Sequence, residues 1–260
     1  MKENLKKLIK RGSSTAKRGF RNEKGVVKKF NKWKKDEDAQ EWLKIMDYNL
    51  KEIEKVKAVV ITGSHKTDVQ VEIKIYFKQG IGIENISVKL VSNPQGFNQI
   101  DKRWIDKYSD LWNIPDKIAR NLKMFTGEIK PLESSPRDKR RIFLDELNSK
   151  EQNEIVNFFE KNKILVVNDL FKGRDKFPAM WMLIYQKNTN IWTLLPISLI
   201  MNFYGNGKVI ITSQGSLKIG KIGMQRKGGD RGRPSSKMLQ FKINPCEIVN
   251  YTLENGGQNN

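Results

Sequence analysis

The chain has one cysteine, Cys246, and one histidine, His65, in 260 residues. A single cysteine closes no intrachain disulfide, which fits a reducing cytoplasm. One cysteine and one histidine also exclude zinc fingers and histidine-ligated metal nucleases. His65 is expected to be a turn residue rather than a catalyst. No apolar run reaches the roughly 18 residues of a bilayer-spanning helix. The opening MKENLKKLIKRG is basic without an apolar stretch, so no secretory signal and no membrane attachment are expected, and a cytoplasmic location is. Acidic residues are scarce as well: 29 Asp and Glu stand against 49 Lys and Arg, a formal charge of +20. Such an imbalance speaks of polyanionic partners, nucleic acid first. A membrane surface, the competing reading, would require an amphipathic anchor or a polybasic run beside an apolar one.

What is present is unevenly distributed. Residues 1–35 hold eleven Lys and three Arg against Glu3 and Glu23, and residues 214–242 hold eight Lys and Arg against Asp230 alone. Two separated basic blocks are expected to form two edges of one cleft; a generally solvated basic surface is the plainer alternative. The spacing of Phe20, Val26, Val27, Phe30 and Trp33 predicts a helix within residues 15–33. A second is predicted over 37–46, capped by Asp36 or Asp38, with Trp42, Leu43 and Met46 inward. KVKAVVITG, residues 55–63, reads as a buried strand. From Asp68 to Phe77 apolar and polar residues alternate, as in a half-buried strand. Gly80 and Gly82 turn the chain, and residues 86–91 return beside it. Residues 98–172, DKRRIFLDEL included, read as mostly helical. Residues 178–195 contain apolar stretches, and residues 207–243 read as short strands between Gly-rich turns. The tail ENGGQNN lacks apolar residues and is expected to be disordered.

The chemistry is concentrated in GSHKTDVQVEIKIYFKQGIGIENISVKL, residues 63–90. Asp68 stands at the mouth of one strand, and beyond eighteen intervening residues Ser87 and Lys89 stand two apart on the next. Residues two apart on a strand share a face. An acid followed by a short x-x-Lys strand resembles the metal-dependent phosphodiesterase site of PD-(D/E)xK nucleases. Mg²⁺ takes one or two carboxylates and keeps several waters, so Asp68 is the candidate direct ligand and the Val88 carbonyl a further one. Lys89 is placed to hydrogen-bond the attacking water and to offset the charge of the pentavalent state. Ser87 stands where a second carboxylate is expected, and a neutral hydroxyl is a poor Mg²⁺ ligand. It can act through water, or Glu23 or Glu84 can supply the charge, or the enzyme is slow; Glu23 is the favoured helper. Glu72 shares a face with Asp68, but four residues along a strand is about 13 Å.

The segments TAKRGFRNEKGVVKKFNKW, AQEWLKIM, NLKEIEKVKAVVITG, ISVKLVSNPQGFNQIDKRW, DKRRIF and IGMQRKGGDRGRPSSKMLQFKINP resemble the HinP-type II restriction endonucleases over roughly residues 12–250. A more distant similarity, around SHKTD, the x-x-Lys strand and SSKMLQFK, is to MspI. The resemblance implies a mixed α/β (α+β) restriction-endonuclease-like core with flanking helices and an added helical and β DNA-recognition region. One domain over residues 1–252 is then expected. It divides into a catalytic core at about 12–110, a helical insertion at about 111–175 and a C-terminal β recognition region at about 176–250, with 253–260 as tail. Mg²⁺, one ion or two, is implied, as is double-strand cleavage at GCGC, after the first G, leaving a 5′ overhang. In such enzymes the metal-site positions fall on Asp68, residue 87 and Lys89. HinP-type enzymes usually carry Gln at the position of Ser87 and MspI carries Asn, so a non-acidic residue is tolerated there.

A site of G and C alone asks for Arg or Lys toward guanine O6 and N7, and for an acid or a carbonyl toward the cytosine amine. Gln225, Arg226, Lys227 and Asp230 supply both in one turn, where Gly228 and Gly229 let backbone approach base edges; solvated charges on a hairpin turn are the alternative. In GFNQIDK, expected to open a helix after the catalytic strand, Asn98, Gln99 and Lys102 are candidate DNA contacts. Phe97 is either a wedge between base steps or a core residue. Gln240 and Lys242, on one strand face, are candidate base or phosphate contacts. The N-terminal lysines are expected to serve phosphates without specificity. A methyltransferase is the implied genetic partner, and the chain is expected to act as a monomer or weak homodimer. Two rival readings remain: a GCGC-binding relative silenced by Ser87, and a structure-specific repair nuclease of the same fold.

Overall fold

The computed structural model describes residues 22–61, 70–131, 135–174, 176–228 and 233–256. The chain divides into two compact units. One comprises the described residues of 13–98, 171–200 and 244–260; the other comprises those of 99–170 and 201–243.

In the first unit, helix α1 covers residues 22–31 and buries Val26 and Phe30, four apart and therefore on one face. Helix α2 (Glu37–Ile45) starts where Asp36 Oδ1 accepts the Ala39 amide at 3.1 Å, and it turns Trp42 and Leu43 inward. The strands are β1 (Lys55–Ile61), β2 (Gln70–Phe77), β3 (Gly80–Val91), β5 (Trp181–Gln186) and β6 (Ile191–Pro196), and they pair in the order β1-β2-β3-β5-β6. The β3–β5 pairing is parallel and the others are antiparallel, so the sheet is mixed. Val71, Ile73, Ile75, Ile86, Val88, Leu183 and Leu194 form its apolar face, packed with Phe30, Trp42 and Leu43 in one core. Burying each such side chain contributes about 1.5–3 kcal/mol. On the other face, helix α8 (Pro245–Gly256) brings Cys246 Sγ to 3.3 Å from Gln186 Nε2.

Three expectations are corrected here. β1 is an edge strand that alternates exposed and buried residues instead of being buried throughout. Gly82 lies inside β3, where a Cβ would come within 2.7 Å of Tyr48 Oη; the glycine makes room for a ring rather than a turn. Residues 254–256 of the tail belong to α8, while residues 257–260 lie outside the described residues.

The second unit carries β4 (Asn98–Arg103), helices α3 (Ile105–Trp112), α4 (Asp116–Thr126), α5 (Ser149–Lys161) and α6 (Lys163–Phe171), then α7 (Ile197–Gly205) from Met201 onward. Strands β7 (Val209–Ile211), β8 (Leu217–Ile219), β9 (Ile222–Arg226) and β10 (Leu239–Ile243) follow, and the sheet order is β4-β10-β9-β8-β7. Tyr108, Trp112, Phe159 and Phe241 stack edge and face at the centre. Asp169 accepts from Trp112 Nε1 at 3.0 Å and from Arg103 at 2.6 Å. The short strands of 207–243 form as expected. Two helical expectations fail. GFNQIDK opens a strand, β4, because sheet pairing buries Ile100 and Asp101 side by side; α3 begins only after Trp104. DKRRIF is irregular, because the Asp138 side chain accepts the Arg140 amide at 3.1 Å and the guanidiniums of Arg140 and Arg141, offering the backbone an alternative to helix.

Candidate active site and nucleic-acid interface

The β2–β3 register pairs Gln70 with Ser87, Glu72 with Asn85 and Ile73 with Glu84. Direct partners share a face, so Gln70, Glu72, Asn85, Ser87 and Lys89 stand together opposite the apolar core. All five are buried; Ser87 is 4% exposed and Lys89 5%. A buried ammonium requires acceptors around it, and this face is correspondingly polar. Glu84 falls on the opposite, apolar face. Its carboxylate accepts from Tyr48 Oη at 2.6 Å and from Trp181 Nε1 at 2.8 Å, and the Glu84 carboxylate pushes the Tyr48 phenol, already raised by burial, further up. Glu84 therefore anchors the core and does not supply charge beside Ser87. Glu72, diagonal to Ser87, does share its face; diagonal neighbours lie about 7–8 Å apart. Lys74 Nζ lies 3.6 Å from Glu72 Oε1.

In the second unit the β8–β9–β10 register gathers Lys218, Gly223, Gln225, Gln240 and Lys242 on one face, and Leu217, Ile219, Ile222, Met224, Phe241 and Leu239 on the other. Amide and ammonium groups on a flat sheet face suit base edges and phosphates. Gln240 Nε2 donates to the carbonyls of Arg226 and Lys227, both at 3.3 Å, so its amide also braces the hairpin. Burial pushes the Lys242 ammonium down from its ordinary value.

The family model described as R.HinP1I restriction endonuclease matches residues 46–249, most of the chain. This chain belongs to that family. It is a site-specific deoxyribonuclease, a DNA-binding hydrolase of a restriction system. Among solved structures it is similar to the crystal structure of restriction endonuclease MspI in complex with its cognate DNA. The two share 12% sequence identity with a TM-score of 0.58, over 85% of this chain and 87% of that one. At that identity the likeness shows the fold, and the mixed α/β restriction-endonuclease class is as expected. No curated protein sequence matches.

The structure places the expected residues of this HinP1I-family enzyme as follows. Ser87 and Lys89 come together on the polar face, while the Val88 side chain enters the core and its strand position pairs with Leu183. Asp68, His65, Gly229 and Asp230 lie outside the described residues. Glu23 is buried on α1, three residues before Val26 and so on its face. Phe97 is 59% exposed and is not a core residue. Asn98 Nδ2 donates to the Leu90 carbonyl at 2.8 Å, and Gln99 and Lys102 are partly exposed on β4. Among the described residues no three His, Cys, Asp or Glu side chains form a metal cluster.

A second polar site in this enzyme had no signal in sequence beyond the run of basic residues in DKRRIF. A cavity of about 440 Å³ in the second unit is lined by Phe125, Asp138, Arg140, Arg141, Phe143 and Arg226, with Gln214, Ser216, Gln225 and Gly228. Arg140 Nε donates to Asp138 Oδ1 at 2.8 Å and Arg141 Nε to Oδ2 at 3.3 Å; an Arg226 nitrogen lies 3.8 Å from Oδ2. The hydrogen bonds from Arg140 hold the Asp138 carboxyl well below the usual range.

Proposed function

We propose that this endonuclease cuts double-stranded DNA at GCGC in a Mg²⁺-dependent reaction, after the first G, leaving a 5′ overhang. The observation that carries the chemistry is the buried polar face on which Ser87 and Lys89 stand beside Gln70 and Glu72. The specificity rests on the family and on Gln225, Lys227 and Asp230.

The described donors on that face fit a hard cation, because they are oxygen atoms: the Glu72 carboxylate, the Ser87 hydroxyl and the Gln70 amide oxygen. Asp68, two residues before Gln70 in sequence, would hold the ion, with the Val88 carbonyl and Glu23 as further candidates and Ser87 acting through water. When bound, Mg²⁺ supplies Lewis-acid polarisation of the phosphoryl oxygens. Lys89 hydrogen-bonds the attacking water and offsets charge growing on the phosphate. Asp230 accepts from the cytosine amine and Lys227 donates to guanine O6 and N7, with Gln225 as a further DNA contact. Phe97, exposed on the chain between β3 and β4, is available to stack against a base step. Gln99, Lys102, Gln240 and Lys242 hold the duplex, and Asn98 fixes the loop that presents Phe97. A methyltransferase sharing the site is the genetic partner, and the enzyme works as a monomer or weak homodimer.

The test is an end-labelled duplex with one GCGC beside a duplex of permuted order, each incubated in Mg²⁺ and in Ca²⁺. Cleavage of the GCGC duplex alone, in Mg²⁺ alone, is expected. Equal cutting of both overturns the specificity. Binding of GCGC in Ca²⁺ without any cutting in Mg²⁺ overturns the activity and assigns the loss to Ser87.

A further inference from the structure

The cavity around Asp138 carries more cationic charge than it neutralises. Arg140, Arg141 and Arg226 bring three guanidiniums to one carboxylate, a net charge of +2 (3 − 1) on the charged lining residues. Two of the three are withdrawn from water: the side chains of Arg141 and Arg226 are 18% and 12% exposed. Desolvation lowers both guanidiniums from their ordinary value, and Arg140 lowers Arg226 further. Like charges crowded in a partly dry site form a binding site for an opposite charge.

The groups are also held in place before any ligand arrives. The Arg141 guanidinium lies 4.0 Å from the Phe143 ring centre, and Arg137 lies at the same distance. Two guanidiniums at that distance must occupy opposite faces of one ring, so Arg141 is clamped by stacking. Arg137 is in turn fixed by Asp145 and by Glu146 Oε1 at 2.9 Å. Arg226 Nε is committed to the Ser236 carbonyl at 3.1 Å. With Nε on Ser236 and another nitrogen toward Asp138, Arg226 is poorly free to present a bidentate fork to guanine. Point-charge attraction to a phosphate needs no such fork.

We propose that this cavity binds a phosphodiester of the DNA backbone, held by Arg140, Arg141 and Arg226. The inference rests on the chain acting on DNA, and it assigns Arg226 to positioning the duplex rather than to reading a base. Gly228, two residues beyond the end of β9, has φ +61°, and a Cβ there would meet nothing within 4 Å, which leaves the approach open.

The experiment is equilibrium binding of the full chain to fluorescent duplexes in Ca²⁺ over a KCl series, with a GCGC duplex and a scrambled one. Arg140→Gln and Arg141→Gln are each expected to weaken both duplexes by the same factor, and to lower the slope of log K against log[salt] by about 1. Arg140 is 72% exposed, so its variant keeps the fold even if loss of the Phe143 stack destabilises the other. Loss confined to the GCGC duplex would overturn the proposal in favour of base reading. Unchanged slopes would overturn it, and if inorganic phosphate alone still raised the wild-type melting temperature, the cavity would be a free-anion site. Because the scrambled duplex reports backbone binding alone, an error in the assigned recognition sequence leaves the result readable.

Discussion

Gln70 and Ser87 are direct partners in the antiparallel ladder of β2 and β3, so an amide and a hydroxyl stand side by side on the face that carries Lys89. Neither brings charge. Ser87→Glu adds a carboxylate at that point, and the Mg²⁺ concentration for half-maximal cleavage is expected to fall about tenfold, the equivalent of about 1.4 kcal/mol. A Mg²⁺ titration of initial rates checks this; an unchanged midpoint would remove residue 87 from the metal's surroundings.

Lys89 is the buried cation of that face. Lys89→Met keeps the stem and removes the charge, and kcat is expected to drop about 10²–10³-fold while the melting temperature stays near wild type. Single-turnover cleavage rates read the effect. A rate within a few-fold of wild type would reassign the catalytic role.

Glu84 accepts from Tyr48 and Trp181 on the apolar side of β3. Glu84→Ala leaves two half-buried donors without their acceptor and is expected to cost about 1–3 kcal/mol in urea denaturation, less than two fully buried orphans would, because both side chains are only partly withdrawn from water. Its cleavage rate per folded molecule is expected to match wild type below the unfolding transition. A selective loss of rate would return Glu84 to the active site.

Asp138 is held below the ordinary carboxylate pKa of 3.8 by Arg140, with burial opposing. The folded chain therefore binds this proton more weakly than the unfolded chain does. The stabilisation is complete above the ordinary value and is lost as pH falls through it toward the depressed folded value. The gap in melting temperature between wild type and Asp138→Asn is expected to be constant near neutrality and to close below about pH 4. A gap that widens in acid would contradict the assignment.

At the N-terminus of α2, Asp36 caps Ala39 and also receives Lys29 Nζ at 3.2 Å. Asp36→Ala is expected to cost about 0.5–2 kcal/mol, read by chemical denaturation. No measurable loss would mean that Asp38, which also pairs with Lys29, takes over.

The alternation of β2 was legible because Val71, Ile73 and Ile75 share one apolar face while Gln70 and Glu72 share the other, and the cap at Asp36 was legible because capping is local. The face of Glu84 could have been read by counting from Ser87: three residues is an odd offset. That Glu72 lies diagonal to Ser87 could not be read, because it depends on how the chain turns at residues 78 and 79. The parallel pairing of β3 with β5 depends on a strand some ninety residues on, which no local pattern encodes. β4 and the DKRRIF segment misled because sheet pairing and side-chain-to-backbone bonds outweighed helical spacing.

The central claim is tested most directly by digesting an unmethylated plasmid in Mg²⁺ and sequencing every fragment end. The account predicts that all ends fall within GCGC, after the first G on each strand. Ends scattered over sequence, or clustered at any other tetranucleotide, would contradict it.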